Sequence, residues 1–405
     1  IRFNTAVVKA EFNDEEGIWN LTTESGEIHQ ARVVITAVGG LTDPALPDIT
    51  GINDFKGEMF HTARWNNDYD YGNKRVAVIG TGCSAVQVIP SIQPDVAHLD
   101  VFQRTPAWIM PRHDFTISQK FKSFLAKYPK VQSAIRGVLY WGSESLAPFL
   151  ILDSKWLSKP FEALAYRNLT KHVEDPELRQ KLTPHFQFGC KRMIVSDDYY
   201  PALTQENVAL ITSPIERITE DGIVTKDGVH HALDCIVLAT GFDLSLAASP
   251  FEIQGRDQRS LNDEWSVDGA YAYKGVSIAG YPNWFSIMGP NTGPGHTSVL
   301  IYTEAQINYI MGGIQTLKTQ NLKYVDVRQD VMDEYNRNIQ KRMKHTVWTG
   351  GSCVSWYLNA DGSNHALYPG FATEYCHGIK QFKLNEYETT LYPQVQDLPA
   401  TSAAG

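Results

Sequence analysis

An apolar run, Arg75-Val76-Ala77-Val78-Ile79, leads without a break into Gly80-Thr81-Gly82-Cys83-Ser84-Ala85. Helical spacing then covers Ala85 to Ile92, and a second apolar run covers Leu99 to Phe102. Strand, glycine-rich turn, helix and strand in that order make a βαβ unit of the dinucleotide-binding kind. Gly80 permits the tight turn and Gly82 lets the backbone approach a pyrophosphate. Ala85 lets the helix pack closely on the strand, with Thr81 and Ser84 completing the loop. The helix N-terminus adds free N–H groups and the positive end of its dipole. This unit commits its part of the chain to a parallel, doubly wound α/β sheet.

The end of the second strand decides which dinucleotide is preferred. A carboxylate there would take a ribose 2′-hydroxyl. The chain has Phe102-Gln103-Arg104-Thr105 instead. The Arg104 guanidinium beside the Thr105 hydroxyl suits a 2′-phosphate, so NADP is expected.

Upstream, the first forty residues alternate apolar and polar, with turn residues at Asn13-Asp14 and Ser25-Gly26, and read as an antiparallel meander. Arg32 to Val38 reads as a buried strand closed by Gly39-Gly40. Downstream of the βαβ unit, residues 115–184 are helical and rich in aromatics, too long for a crossover, and are expected to form a helical insertion. Strands resume near Val208–Ile211 and at Asp234–Leu238. A glycine-rich passage from Gly289 to Gly295 then precedes a helix over about Ser298–Thr316.

Composition narrows the function. A net charge of −9 and a pI near 5.7 argue against nucleic acid, which would need a clustered basic face, and still permit a local basic pocket for a phosphorylated cofactor. The most apolar stretch, Leu146 to Leu152, is too short to span a bilayer. The five cysteines are dispersed, with no C-x-x-C pair, so neither a disulfide framework nor a metal site is expected. That cysteine usage fits a reducing compartment, and a cytoplasmic protein is expected.

Between the meander and the βαβ unit stands Phe55-Lys56-Gly57-Glu58-Met59-Phe60-His61-Thr62-Ala63-Arg64-Trp65. Phe55, Gly57, His61 and Trp65 match the fingerprint F-x-G-x-x-x-H-x-x-x-W, and in this the chain resembles the Baeyer–Villiger monooxygenases. Asn66 departs from the Pro or Asp usual after the Trp. The resemblance implies two interleaved dinucleotide-binding (Rossmann-like) domains, one for FAD and one for NADP. It divides the chain into residues 1–50, the second part of the FAD-binding domain; 51–72, a linker carrying the fingerprint; 73–237, the NADP-binding domain with its insertion; 238–315, a return to the FAD-binding domain; and 316–405, a C-terminal region.

The same resemblance implies the reaction: NADPH reduces FAD, dioxygen is captured as a C4a-peroxyflavin, and a small apolar ketone becomes an ester or lactone. Arg192, in Gly189-Cys190-Lys191-Arg192, is implied as the catalytic cation that stabilises anionic oxygen, and Lys191 as an aid to Arg104 at the 2′-phosphate. Thr240 and Gly241 match a strand end that hands the chain between the two domains. Asn291 matches a loop against the flavin ring, and Trp356 a segment holding the nicotinamide cofactor. Two other readings remain open: oxygenation of an amine or sulfide, and a non-catalytic NADP-binding fragment. A pyridine-nucleotide disulfide reductase is disfavoured, because it would need a redox C-x-x-C.

Members of that family begin with another Gly-x-Gly-x-x-Gly for the ADP half of FAD, and these 405 residues contain none. The expectation is an incomplete FAD domain with an exposed sheet edge, and a chain inactive by itself.

Overall fold

The computed structural model describes residues 1–112, 114–243, 251–351, 357–359 and 361–392. The chain forms two compact units: Ile1–Gly39, Ala248–Arg342 and Ser363–Gly405 in the first, Gly40–Ala247 and Met343–Gly362 in the second. The chain thus passes between units at Gly39/Gly40 rather than after residue 50. Part of the expected C-terminal region, Met343–Gly362, belongs with the second unit.

The first unit is built on the expected meander. Val7–Asn13, Ile18–Thr23 and Ile28–Ala31 pair antiparallel, and Glu252–Gln254 adds a parallel strand beside Val7–Asn13. Trp19 is fully buried, its indole packed at 4.7 Å on Trp284 and its N–H donated to the Pro282 carbonyl at 2.8 Å. The helix Val299–Thr319 is capped by the Ser298 hydroxyl and places Tyr302, Tyr309 and Ile310 in the same core. The strand expected over Arg32–Val38 is shorter and less buried. Only Val34–Thr36 is extended, paired in parallel with Trp284–Ser286, and Ile35 is 44% exposed. With one neighbouring strand among the described residues, it lacks the cover that such an apolar run takes in a full parallel sheet.

The second unit carries a five-stranded parallel sheet in the order Val208–Ile211, His98–Phe102, Arg75–Ile79, Cys235–Leu238, Glu58–His61. Val76, Ala77 and Val78 are all at most 1% exposed, as a central strand covered on both faces requires. One face, with Val76, Val78, Val101 and Val237, packs on Ala85, Val86, Ile89 and Ile92 of the helix Cys83–Ile92. The other, with Ala77, Ile79, Phe102 and Leu238, packs on Ile218, Ile223 and Leu233. Ile218 and Ile223 belong to, and Leu233 directly follows, a three-stranded antiparallel sheet of Ile215–Thr219, Gly222–Thr225 and His230–Ala232. The strand pattern had not shown this small sheet, because its strands are three to five residues long.

The passage 51–72, expected as a linker, is instead structural. Its Glu58–His61 forms the edge strand of the parallel sheet. The insertion is helical as expected, with helices Gln119–Lys127, Pro129–Ile151, Lys155–His172 and Pro176–Leu182. The expectation for cysteine needs correction: Cys83, Cys235 and Cys376 are not in disulfides, but Cys190 is disulfide-bonded. Dispersal in sequence does not prevent pairing, since the fold sets which thiols meet.

Candidate functional site

Four of the five parallel strands end in segments the sequence had marked. Arg75–Ile79 runs into Gly80, His98–Phe102 into Gln103-Arg104, Cys235–Leu238 into Ala239-Thr240-Gly241, and Glu58–His61 ends on the fingerprint histidine. In parallel α/β sheets, ligands bind outside these carboxyl ends.

Gly80 has φ +117°, and a Cβ on it would lie 2.4 Å from the Ala239 carbonyl oxygen. Gly82 caps the helix Cys83–Ile92 without a side-chain bond, and a Cβ there would meet nothing within 4 Å. Space above Gly82 and unsatisfied N–H groups at a helix start are what a pyrophosphate needs. Ala85 is fully buried under the helix, and Ser84 is half-buried. The Thr81 hydroxyl donates to the Thr105 carbonyl at 2.9 Å, tying the glycine loop to the turn after the second strand.

Arg104 is exposed, whereas Gln103 beside it is buried and donates from Nε2 to the Lys181 carbonyl at 2.7 Å. Sequence reading passed over Gln103, which anchors this turn to the helical insertion. Burial, and then the nearby Arg104 guanidinium, hold the Lys191 ammonium below its ordinary range. The two cations, 87 positions apart in sequence (191 − 104), therefore share one neighbourhood. Lys191 also lies over the Phe186 ring at 5.2 Å.

Arg192 is exposed, and its charge acts on Tyr357. The Tyr357 phenol is pushed up to about 12, mainly by burial, with the Arg192 charge pulling it back and Cys83 adding to the rise. Tyr357 thus stands near both Arg192 and the first residue of the nucleotide-loop helix. Trp356, expected to hold the nicotinamide cofactor, lies outside the described residues.

The fingerprint residues are mostly packing residues. A Cβ on Gly57 would stand 2.6 Å from the Asp234 carbonyl oxygen and from the Phe55 ring. Trp65 meets Phe60 at 4.8 Å and Tyr71 at 6.2 Å, both edge-on. His61 is buried, and its Nδ1 accepts the Ala63 N–H at 3.1 Å, capping a short turn over Thr62–Arg64. Burial lowers the His61 pKa; the Gly241 backbone opposes this and Arg64 adds to it. His61 also meets the Phe242 ring at 5.8 Å. Thr240 donates to the Ala45 carbonyl at 2.6 Å, the Ala45 N–H donates to the Gly241 carbonyl at 3.0 Å, and Gly241 has φ +89°. The end of the strand Cys235–Leu238 is therefore bonded to the passage at Ala45.

In the first unit, Asn291 has φ +54° and is 1% exposed. Its Nδ2 donates to the carbonyls of Asn364 and Leu367 at 2.8 and 3.0 Å, so this side chain braces the loop from behind. Its Oδ1 is buried without a hydrogen-bond partner among the described residues. No helix among the described residues is long and apolar enough to cross a membrane.

A family model described as flavin-binding monooxygenase-like matches residues 1–137. A Baeyer-Villiger monooxygenase of Pseudomonas aeruginosa is 40% identical over 394 residues, covering 96% of this chain and 74% of the relative. Another, of Streptomyces coelicolor, is 38% identical over 389 residues, with the same shares. Among solved structures, cyclohexanone monooxygenase from Rhodococcus sp. Phi1 bound to NADP+ superposes with a TM-score of 0.84 at 26% identity. The match covers 96% of this chain and 81% of that one. Oxidized steroid monooxygenase bound to NADP gives 0.83 at 26% identity, over 97% and 81%.

Proposed function

The chain belongs to the Baeyer–Villiger monooxygenase family, and on that footing we propose that it serves NADPH-, FAD- and dioxygen-dependent insertion of oxygen beside the carbonyl of a small apolar ketone. The product is an ester or lactone. The observation that carries this reading is the open Gly80–Gly82 loop leading into the helix Cys83–Ile92 at the carboxyl end of a parallel sheet, with the turn that carries Arg104 tied to it through Thr81 and with Lys191 near Arg104.

The residues present fit NADP. Gly82 leaves open space before a helix N-terminus, and Arg104, Thr105 and Lys191 supply cation and hydroxyl for a 2′-phosphate. For FAD the chain offers the Gly289–His296 loop, where the Asn291 Oδ1 is a buried acceptor without a donor among the described residues. NADPH supplies the reducing equivalents, and FAD when bound supplies the oxygen-activating chemistry.

The protein's own part is electrostatic. Arg192 brings a guanidinium, and a fixed cation favours negative charge as it develops on the ketone oxygen. Lys191 and Arg104 hold the nucleotide phosphate, which leaves Arg192 for the reacting end. Neutral His61 holds the turn that follows the edge strand.

The test is to follow NADPH oxidation with a panel of cyclic and aryl ketones, and to identify products by mass spectrometry. Esters or lactones, lost in Arg192→Ala while NADPH still binds, are expected. Sulfoxides or N-oxides as the sole products would replace this reading with heteroatom oxygenation. NADPH binding without a flavin spectrum or any oxygenated product would reduce the chain to a nucleotide-binding unit.

A further inference from the structure

The first part of the helical insertion is basic and free of acidic residues. Between Phe115 and Ser143 the sequence holds Lys120, Lys122, Lys127, Lys130 and Arg136 and no acidic residue, in a chain whose net charge is −9. The helix Gln119–Lys127 repeats apolar residues at helical spacing, Phe121, Phe124, Leu125 and then Tyr128. Its lysines lie off that stripe. An amphipathic helix in a globular unit ordinarily turns such a stripe inward. Here no residue of this helix is buried; Phe121 is 43% and Phe124 44% exposed.

The next helix, Pro129–Ile151, behaves in the same way. Val131, Ile135, Val138 and Leu139 lie on one face at helical spacing, with Val138 73% and Leu139 67% exposed; Trp141, farther round the helix, is 63% exposed. Its buried residues, Glu144, Ala147, Leu150 and Ile151, all fall in its last two turns, so the apolar length before them rises clear of the core. The two helices contact each other.

We propose that these paired helices lie on an anionic lipid surface, as an interfacial attachment that does not cross the bilayer. Each feature selects that occupant. The exposed side chains form a face along about 15 Å of the helix Pro129–Ile151, beside the exposed stripe of Gln119–Lys127, suited to an interface plane. Tyr128 and Trp141 have the amphipathic rings that settle at headgroup level. Lys120, Lys122, Lys127 and Lys130 meet lipid phosphates while their stems cover apolar surface. No helix among the described residues is long and apolar enough to span, so the attachment is peripheral. An enzyme held there would meet apolar substrates where they concentrate.

The test is co-flotation of the purified protein with vesicles of phosphatidylcholine alone and of phosphatidylcholine mixed with phosphatidylglycerol, at low and high salt. Binding to the anionic vesicles, weakened by salt and accompanied by a blue shift of tryptophan emission, is expected. Trp141→Phe should remove most of that shift. Val138→Ser with Leu139→Ser, and separately Lys120→Glu with Lys122→Glu, should each lower partition by about tenfold or more. NADPH binding, unchanged in both double variants, shows that they fold. Absence of binding to either vesicle type, or binding indifferent to both double variants, overturns the proposal. So does a concentration-dependent dimer abolished by Val138→Ser with Leu139→Ser in a protein that ignores lipid, because a second copy would then be the occupant.

Discussion

Gly80 sits so close to Ala239 that a Cβ on the glycine would stand 2.4 Å from the alanine carbonyl oxygen. The nucleotide loop is thus pressed against the end of the neighbouring strand, with φ at +117°. Gly80→Ala adds both a clash and backbone strain, at a cost of about 1–3 kcal/mol. The expected outcome is a lower midpoint of denaturant unfolding and NADPH affinity reduced at least tenfold, read by fluorescence titration. Retention of wild-type affinity would remove this loop from the nucleotide site.

Arg104 and Lys191 give a pH signature. The Lys191 pKa is lowered in the free protein, chiefly by burial. Its ammonium therefore loses its proton at lower pH than an ordinary lysine, and a bound 2′-phosphate pulls the proton back. NADPH affinity should fall as pH rises through that lowered pKa, with proton uptake on binding inside the same window. NADH, without the phosphate, should show little of either. Calorimetry in buffers of different ionisation enthalpy measures the uptake. Arg104→Ala should raise the dissociation constant for NADPH about tenfold or more and leave that for NADH nearly unchanged.

Trp65 is tested by stability. Its ring closes an aromatic group with Phe60 and Tyr71. Trp65→Ala should cost about 2–4 kcal/mol in chemical denaturation, and Trp65→Phe should recover most of it. Equal losses in the two variants would mean that the indole makes some other contact.

Asp326 makes the first unit sensitive to pH. Burial pushes its carboxyl up to about 6, against the Gly280 N–H at 2.9 Å and the Arg256 guanidinium at 3.4 Å. A raised folded-state pKa means that its favourable contribution is complete below about 4 and is lost as pH rises through about 6. The change is up to about 3 kcal/mol. In Asp326→Asn, stability between pH 4 and 6 should lose that component of its slope, measured by urea denaturation across the range.

The sequence pointed to each of these residues unequally. Gly80, Gly82 and Ala85 were legible because turn, helix start and close packing are demanded within six consecutive residues. Arg104 was legible because its place follows from the end of the next strand. His61 was marked only by resemblance, and its physical reason came from the fold: it ends an edge strand and caps the turn after it, beside Gly241. The passage around it looked like a linker because a four-residue strand leaves too little alternation to read. Asn291 was marked by resemblance, and the structure shows its Nδ2 donating to the carbonyls of Asn364 and Leu367.

What the sequence by itself determined is local: the βαβ nucleotide loop, the helical insertion, the meander and the basic run without acids. These follow from backbone sterics and side-chain periodicity over a few residues to a few turns. The tertiary structure alone decided that Lys191 comes near Arg104 and Arg192 near Tyr357, that a small antiparallel sheet covers the second face of the parallel one, and that the apolar stripes of the insertion face outward. Those outcomes depend on which distant elements win the competition to bury apolar area, and no window of sequence contains both competitors.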